Sequence, residues 1–231
     1  MPLPKIDQPL FTVTVPSSGK KVKFRPFTVK EEKILLIAQE SKEIEQVVTA
    51  IKQILTNCLV GVDVDDLAVF DLEYLMLNIR AKAVNNELKF SIKDPDTEEE
   101  VKIEIDVDDI KIQRSENHDN KVYVNDDVVL ILKYPNIDFM TALTSEDNDQ
   151  SMFDAITYCI DSVVDGEDVY KLKEFSKEEV NDFIDGLSSG VIAKIKDFFD
   201  TIPAMKYEHK YTDNTGKEKT FVIQGTETFF I

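Results

Sequence analysis

Residues 10–38 read LFTVTVPSSGKKVKFRPFTVKEEKILLIA, and this stretch sets the fold class. Residues 10–15 and 22–27 alternate apolar and polar side chains, the period of a strand with one buried face. Pro16-Ser17-Ser18-Gly19 between them is turn chemistry, and Pro26 ends the second strand or keeps it at an edge. Thr28 then stands three residues before Glu31, a capping box, and Ile34, Leu35, Ile37 and Ala38 supply the buried stripe of a helix. A hairpin that feeds straight into a helix begins an α+β chain.

The segments beyond extend that reading. Ile44, Val47, Val48, Ile51, Ile54, Leu55 and Cys58 recur at helical steps, Gly61 ends that helix, and a third runs from about Phe70 to Ala83. The period then changes. Residues 88–92, 101–105, 122–124 and 128–132 alternate and predict a small central antiparallel sheet of four strands, with Asp94-Pro95-Asp96-Thr97 as one turn. Helices return over 137–144, 150–164, 176–186 and 188–200, the third of them opened by Ser176 and Glu179 as a second capping box. Residues 205–212 and 219–224 read as a second hairpin, followed by Phe229-Phe230-Ile231. The expected organisation is 1–86, hairpin plus helices; 87–135, central β insertion; 136–202, helices; and 203–231, hairpin and aromatic tail. All four form one compact helical body with β appendages. No internal repeat shows in the sequence.

The chain has 231 residues, 45 of them acidic and 27 basic, for a formal charge of −18. Nucleic acid and anionic membranes repel such a molecule and are not expected partners. The charge is uneven. Lys20, Lys21, Lys23, Arg25, Lys30 and Lys33 face only two acids within residues 18–33, whereas residues 134–170 hold nine acids and no base. A basic hairpin on an acidic body suits oriented docking in an assembly. No run of about 18 apolar residues and no apolar leader occurs, which predicts a soluble protein inside the cell.

Catalytic chemistry finds little footing. No two of the seven glycines build a phosphate loop. Gly186-Leu187-Ser188-Ser189-Gly190 matches a nucleophile elbow, but the preceding residues have helical rather than strand spacing, so Gly186 reads as a helix stop and Ser188 or Ser189 as the next N-cap. Cys58 and Cys159 lie in apolar stretches and read as buried thiols; His118 and His209 read as solvated. The runs beginning Asp63-Val64-Asp65-Asp66, Asp106-Val107-Asp108-Asp109 and Asp147-Asn148-Asp149 lack the glycine and distal glutamate of a calcium loop and read as turns or caps. No catalytic, cofactor or metal residue is assigned.

The opening block, Val15-Pro16-Ser17-Ser18-Gly19-Lys20-Lys21-Val22-Lys23-Phe24-Arg25-Pro26-Phe27 with Val29-Lys30-Glu31-Glu32-Lys33, resembles the start of the baseplate hub proteins of T-even-like contractile-tailed phages. Ala50–Cys58, Phe70-Asp71-Leu72-Glu73-Tyr74-Leu75 and Arg80–Val84 continue the likeness. Many relatives carry Cys-x-x-Cys pairs where this chain has Asp94-Pro95-Asp96-Thr97 and residues 211–216, so no zinc carries over and strand pairing and packing alone must hold the two hairpins. The resemblance implies a non-enzymatic hub or tail-assembly protein, in the virion's tail baseplate and in the host cytoplasm during assembly. Its partners would be other hub and tail proteins, with further copies of itself as another partner. The expected contact residues are Lys20, Lys21, Lys23, Arg25 and Phe27 on the hairpin and Phe229, Phe230 and Ile231 in the tail. Two other readings stay open: a transient assembly chaperone absent from the finished particle, and a small enzyme with a dispersed acidic metal site.

Overall fold

The computed structural model describes residues 6–41, 43–94, 96–139, 148–213 and 215–224. The class is α+β, with an N-terminal hairpin and a C-terminal hairpin as the sequence predicts. The chain divides into two compact units, residues 1–113 with 204–231 and residues 114–203.

In the first unit, β1 (Phe11–Thr14) pairs antiparallel with β2 (Lys21–Phe24), which pairs in turn with β3 (Leu59–Val60). Helices α1 (Val29–Ser41) and α2 (Ile44–Cys58) connect β2 to β3. Gly19 takes φ 67° in the hairpin turn, a conformation in which a side chain would be strained. Helix α3 (Val69–Ala83) buries Phe70, Leu72, Leu75, Met76, Leu77 and Ile79, so it is apolar nearly all round and central to its unit. Leu77 and Ala81 pack with Leu88, Ile103, Ile105, Val107, Ile110 and Met205. Those partners come from the ribbon β4 (Glu87–Lys93) and β5 (Glu100–Asp106), the segment after it, and the sheet of β6 (Lys111–Gln113), β11 (Ala204–Thr212) and β12 (Glu218–Gln224). Each such side chain, fully buried, contributes roughly 1.5–3 kcal/mol.

In the second unit, β7 (Lys121–Tyr123), β8 (Val128–Leu132), β9 (Ile160–Asp165) and β10 (Asp168–Lys171) form one antiparallel sheet in the order β10-β9-β8-β7. Helix α4 (Asn148–Cys159) runs into β9, and α5 (Lys177–Asp185) and α6 (Ser189–Asp200) follow β10. Val122, Leu130, Val163, Val180, Ile184, Val191, Ile195 and Phe198 make this unit's core.

Three expectations change. The four central strands are not one sheet, because 87–106 forms a separate ribbon and 121–132 belongs to the second unit. The helix expected over 150–164 stops at Cys159, and residues 160–165 are a strand whose Ile160 and Val163 enter the core. A repeat is also present. In both units a hairpin strand (β2 or β8) leads through Arg25-Pro26-Phe27-Thr28 or Lys133-Tyr134-Pro135-Asn136 towards helix, a later helix ends in Thr-x-Cys, and the next strand pairs back. The carbonyl of Cys58 accepts from the Arg25 N–H at 2.9 Å, and that of Cys159 from the Lys133 N–H at 2.8 Å. The helix expected over 137–144 falls mostly outside the described residues, as does the aromatic tail. Asp63 and Asp106 each accept the N–H two residues on and cap short 3-10 turns, the role read from their sequence.

Candidate functional site

Cross-strand register decides which side of the N-terminal hairpin faces water. Phe11 pairs with Phe24 and Val13 with Val22 on one side, while Thr12 pairs with Lys23 and Thr14 with Lys21 on the other. Phe24 and Val13 are buried; Lys20, Lys21 and Lys23 are exposed and form no ion pair among the described residues. Val60, opposite Lys23, is also exposed. The solvent side is therefore a short basic sheet face on a strongly acidic chain.

Two buried carboxylates fix that face to the helices. Asp71 in the first turn of α3 accepts from the Ser17 N–H at 2.8 Å and the Ala68 N–H at 3.1 Å, tying the hairpin turn to a helix N-terminus. Arg25 lies within this scaffold: its guanidinium reaches Glu31 at 2.9 and 3.4 Å, and Glu31 also accepts from the Thr28 N–H at 2.9 Å and hydroxyl at 2.6 Å. Burial by itself raises the Glu31 carboxyl, but those donors outweigh it and hold it at about 2. Phe27 is half-buried.

A second charged centre joins two hairpin turns. Asp94 Oδ1 accepts from the Asp96 and Thr97 N–H groups, and Asp213 Oδ1 from those of Thr215 and Lys217, so each aspartate closes its own turn. The Lys219 ammonium then lies 2.8 Å from Asp94, 2.9 Å from Asp96 and 3.1 Å from Asp213, and the Tyr211 hydroxyl donates to Asp94 at 2.7 Å. The side chains of Lys219, Asp94 and Asp213 are 13 %, 1 % and 4 % exposed. These are the two turns that, lacking cysteine pairs, were expected to rest on strand pairing and packing alone. A covalently attached cation holds them together here, so strand pairing and packing do not act alone.

The T4 bacteriophage base plate protein family matches residues 8–231, nearly the whole chain. The chain belongs to that family. No curated protein and no solved structure matches it. Membership makes this a bacteriophage baseplate protein, with a structural role in the tail of the virion and contacts to other phage proteins. No helix among the described residues is long and apolar enough to cross a membrane.

Cys58, Cys159, Gly186, Ser188 and His209 of this baseplate protein each have a place in its fold. Burial pushes the Cys58 thiol up to about 11 and Cys159 to about 12, the opposite of an activated nucleophile. Gly186 terminates α5 and Ser188 caps α6, accepting from the Val191 N–H. His209 is not simply solvated: its ring stacks between Tyr207 and Tyr211 along β11. Phe229, Phe230 and Ile231 lie outside the described residues.

His118 also departs from expectation, since its ring stacks on Tyr134 and Phe198. Thr201 donates its single hydroxyl proton to the Asp197 carbonyl at 2.7 Å, so at 2.9 Å it accepts from Nδ1–H of His118, and Nε2 accepts from the Tyr134 hydroxyl at 3.0 Å. Burial holds the imidazole below its ordinary 6.5, with Asp119 opposing and Arg114 reinforcing the shift. The neutral ring thus stabilises the second unit above pH 6.5, and that stabilisation is lost as pH falls through the lower folded value. His118→Phe keeps the stack and loses both hydrogen bonds. It is expected to cost about 1–2 kcal/mol at pH 7.5 in urea titration and to remove the loss of stability below pH 6.5 that this ring causes. An unchanged pH dependence would assign that loss to other groups.

Proposed function

We propose that this baseplate protein is a non-enzymatic subunit of the hub, held there by protein–protein contacts in which the solvent face of β1–β2 meets an acidic surface of a neighbouring tail protein. The observation that carries the reading is the uncompensated Lys20, Lys21 and Lys23 face. Three unpaired lysines on a chain of −18 cost the isolated molecule nothing in desolvation, and they steer and register it against an acidic partner. Arg25 and Phe27 support the face from within. The tail at 227–231 supplies an apolar second contact. Residence in the host cytoplasm during assembly follows from the same role.

The combined replacement Lys20→Glu, Lys21→Glu and Lys23→Glu is expected to leave the thermal midpoint unchanged within about 2 °C, since exposed surface charges contribute little to stability. Incorporation into tails, measured by quantitative mass spectrometry of purified particles beside the infected-cell lysate, is expected to fall at least tenfold, on the order of 1.4 kcal/mol or more. Undiminished incorporation would refute the basic face as a contact. For the unaltered protein, a fixed copy number per particle supports the hub subunit. Abundance in lysate with absence from particles would replace that reading with a transient assembly chaperone.

A further inference from the structure

Among the described residues, the sheet of the second unit has an uncovered edge: strand β10 pairs only with β9, and all four of its residues are exposed. The turn Gly166-Glu167 is closed by the pair Asp165 and Asp168, which in a two-residue hairpin exchanges hydrogen bonds, so the next pair, Val164 and Val169, does not. The main-chain N–H and C=O of Val169 therefore point away from the sheet.

Apolar surface is exposed on both sides of that edge. On the core side, Tyr170 and Phe175, each 43 % exposed and with ring centroids 6.3 Å apart, wall a cleft of about 400 Å³ whose floor includes Val128, Val163, Leu172 and Val180. On the opposite side, the register sets Tyr123, Val129, Val164 and Val169 in one row across all four strands, and Val169 ends it at the edge, 58 % exposed. A ligand in the cleft alone would leave Val169 in water. An added strand covers both sides at once, because its successive side chains alternate between the two faces.

The charge around the edge specifies that strand's chemistry. Asp165 and Glu179 line the cleft, and Asp168 begins β10. Residues 161–182 hold eight acids and three lysines. We propose that the open edge of β10 is a docking site for an extended segment of a partner protein, which adds as a fifth strand, seats a bulky apolar side chain in the Tyr170–Phe175 cleft and sets lysine or arginine against Asp165 and Asp168. The site is in the second unit and does not depend on the basic hairpin face proposed above.

The test is fluorescence anisotropy on the full chain, using a labelled peptide of alternating arginine and valine around a central phenylalanine, with a glutamate-for-arginine counterpart. Saturable binding of the basic peptide, at least tenfold tighter than that of the acidic one, is expected. Val169→Pro removes one outward N–H without touching the ladder and should abolish binding; Phe175→Ala should weaken it at least fivefold. Both variants are compared at temperatures where circular dichroism matches the unaltered protein, and if Val169→Pro does not fold, Phe175→Ala decides. Absence of saturable binding, equal binding of both peptides, or binding indifferent to Phe175→Ala would overturn the proposal.

Discussion

Lys219→Met is expected to lower the thermal midpoint by on the order of 10 °C at pH 7. Removing the ammonium leaves Asp94, Asp96 and Asp213 facing one another, with Asp94 almost fully out of water. A buried carboxylate deprived of its cation costs far more than the intact pair contributes over a neutral substitute. Adding Asp94→Asn to Lys219→Met should therefore recover part of the loss, a non-additivity that a double-mutant cycle measures directly. The pH profile gives an independent check. Hydrogen bonds to Asp94, foremost, raise the Lys219 ammonium above its ordinary 10.5, so its stabilisation is full below that pH and disappears as pH rises through the higher folded value. Lys219 and the Tyr211 hydroxyl hold Asp94 well below the ordinary 3.8, and the Thr215 hydroxyl leads in holding Asp213 at about 2, so their stabilisation disappears as pH falls below that range. A Lys219→Met protein melting within 2 °C of the parent would show that the cluster does not clamp the turns.

Arg25→Met is expected to cost about 2–3 kcal/mol at pH 7, the worth of a charge-assisted hydrogen-bond pair to a buried partner. Glu31 is 2 % exposed, and without the guanidinium it keeps only the two donors of Thr28. Because the folded Glu31 carboxyl sits at about 2 against an ordinary 4.5, its stabilisation is complete above pH 4.5 and is lost as pH drops towards 2. Urea titrations at pH 7, 4.5 and 3 should show the parent losing stability faster than Arg25→Met over the acid interval. Parallel profiles would contradict the ion pair as the source of the acid sensitivity.

Both centres bear on what the sequence reveals. The N-terminal hairpin and the caps at Thr28–Glu31 and Ser176–Glu179 were legible because their signals span a few residues. The same locality misplaced Arg25: charge counting set it beside Lys20, Lys21 and Lys23 as a solvent-facing base, whereas Glu31, six residues on, draws it inward. Strand β9 was hidden by an ambiguity of period, since Ile156, Ile160, Val163 and Val164 continue helical spacing, and only their β-branched character speaks for a strand. The Lys219 cluster was legible only in part: Asp213 is six residues from Lys219, but Asp94, the most buried member, is 125 residues away. The repeat between the units survives in backbone geometry and in Thr-x-Cys, too little for sequence comparison alone.

The pairing of β6 with β11, which sets Gln113 opposite Ala204, also orders events during synthesis. The chain leaves its first unit at residue 113 and returns to it at 204. Every described strand and helix of the second unit leaves the ribosome before β11 does, so that unit has all it needs to fold first. The first unit waits. Until the last part of the chain arrives, Ile103, Ile105 and Leu88 lack the cover of Met205, and the Asp94 turn lacks its lysine. A translation product that stops after Pro203 is thus expected to contain one finished unit and one open one, and it is the open one that presents the basic hairpin.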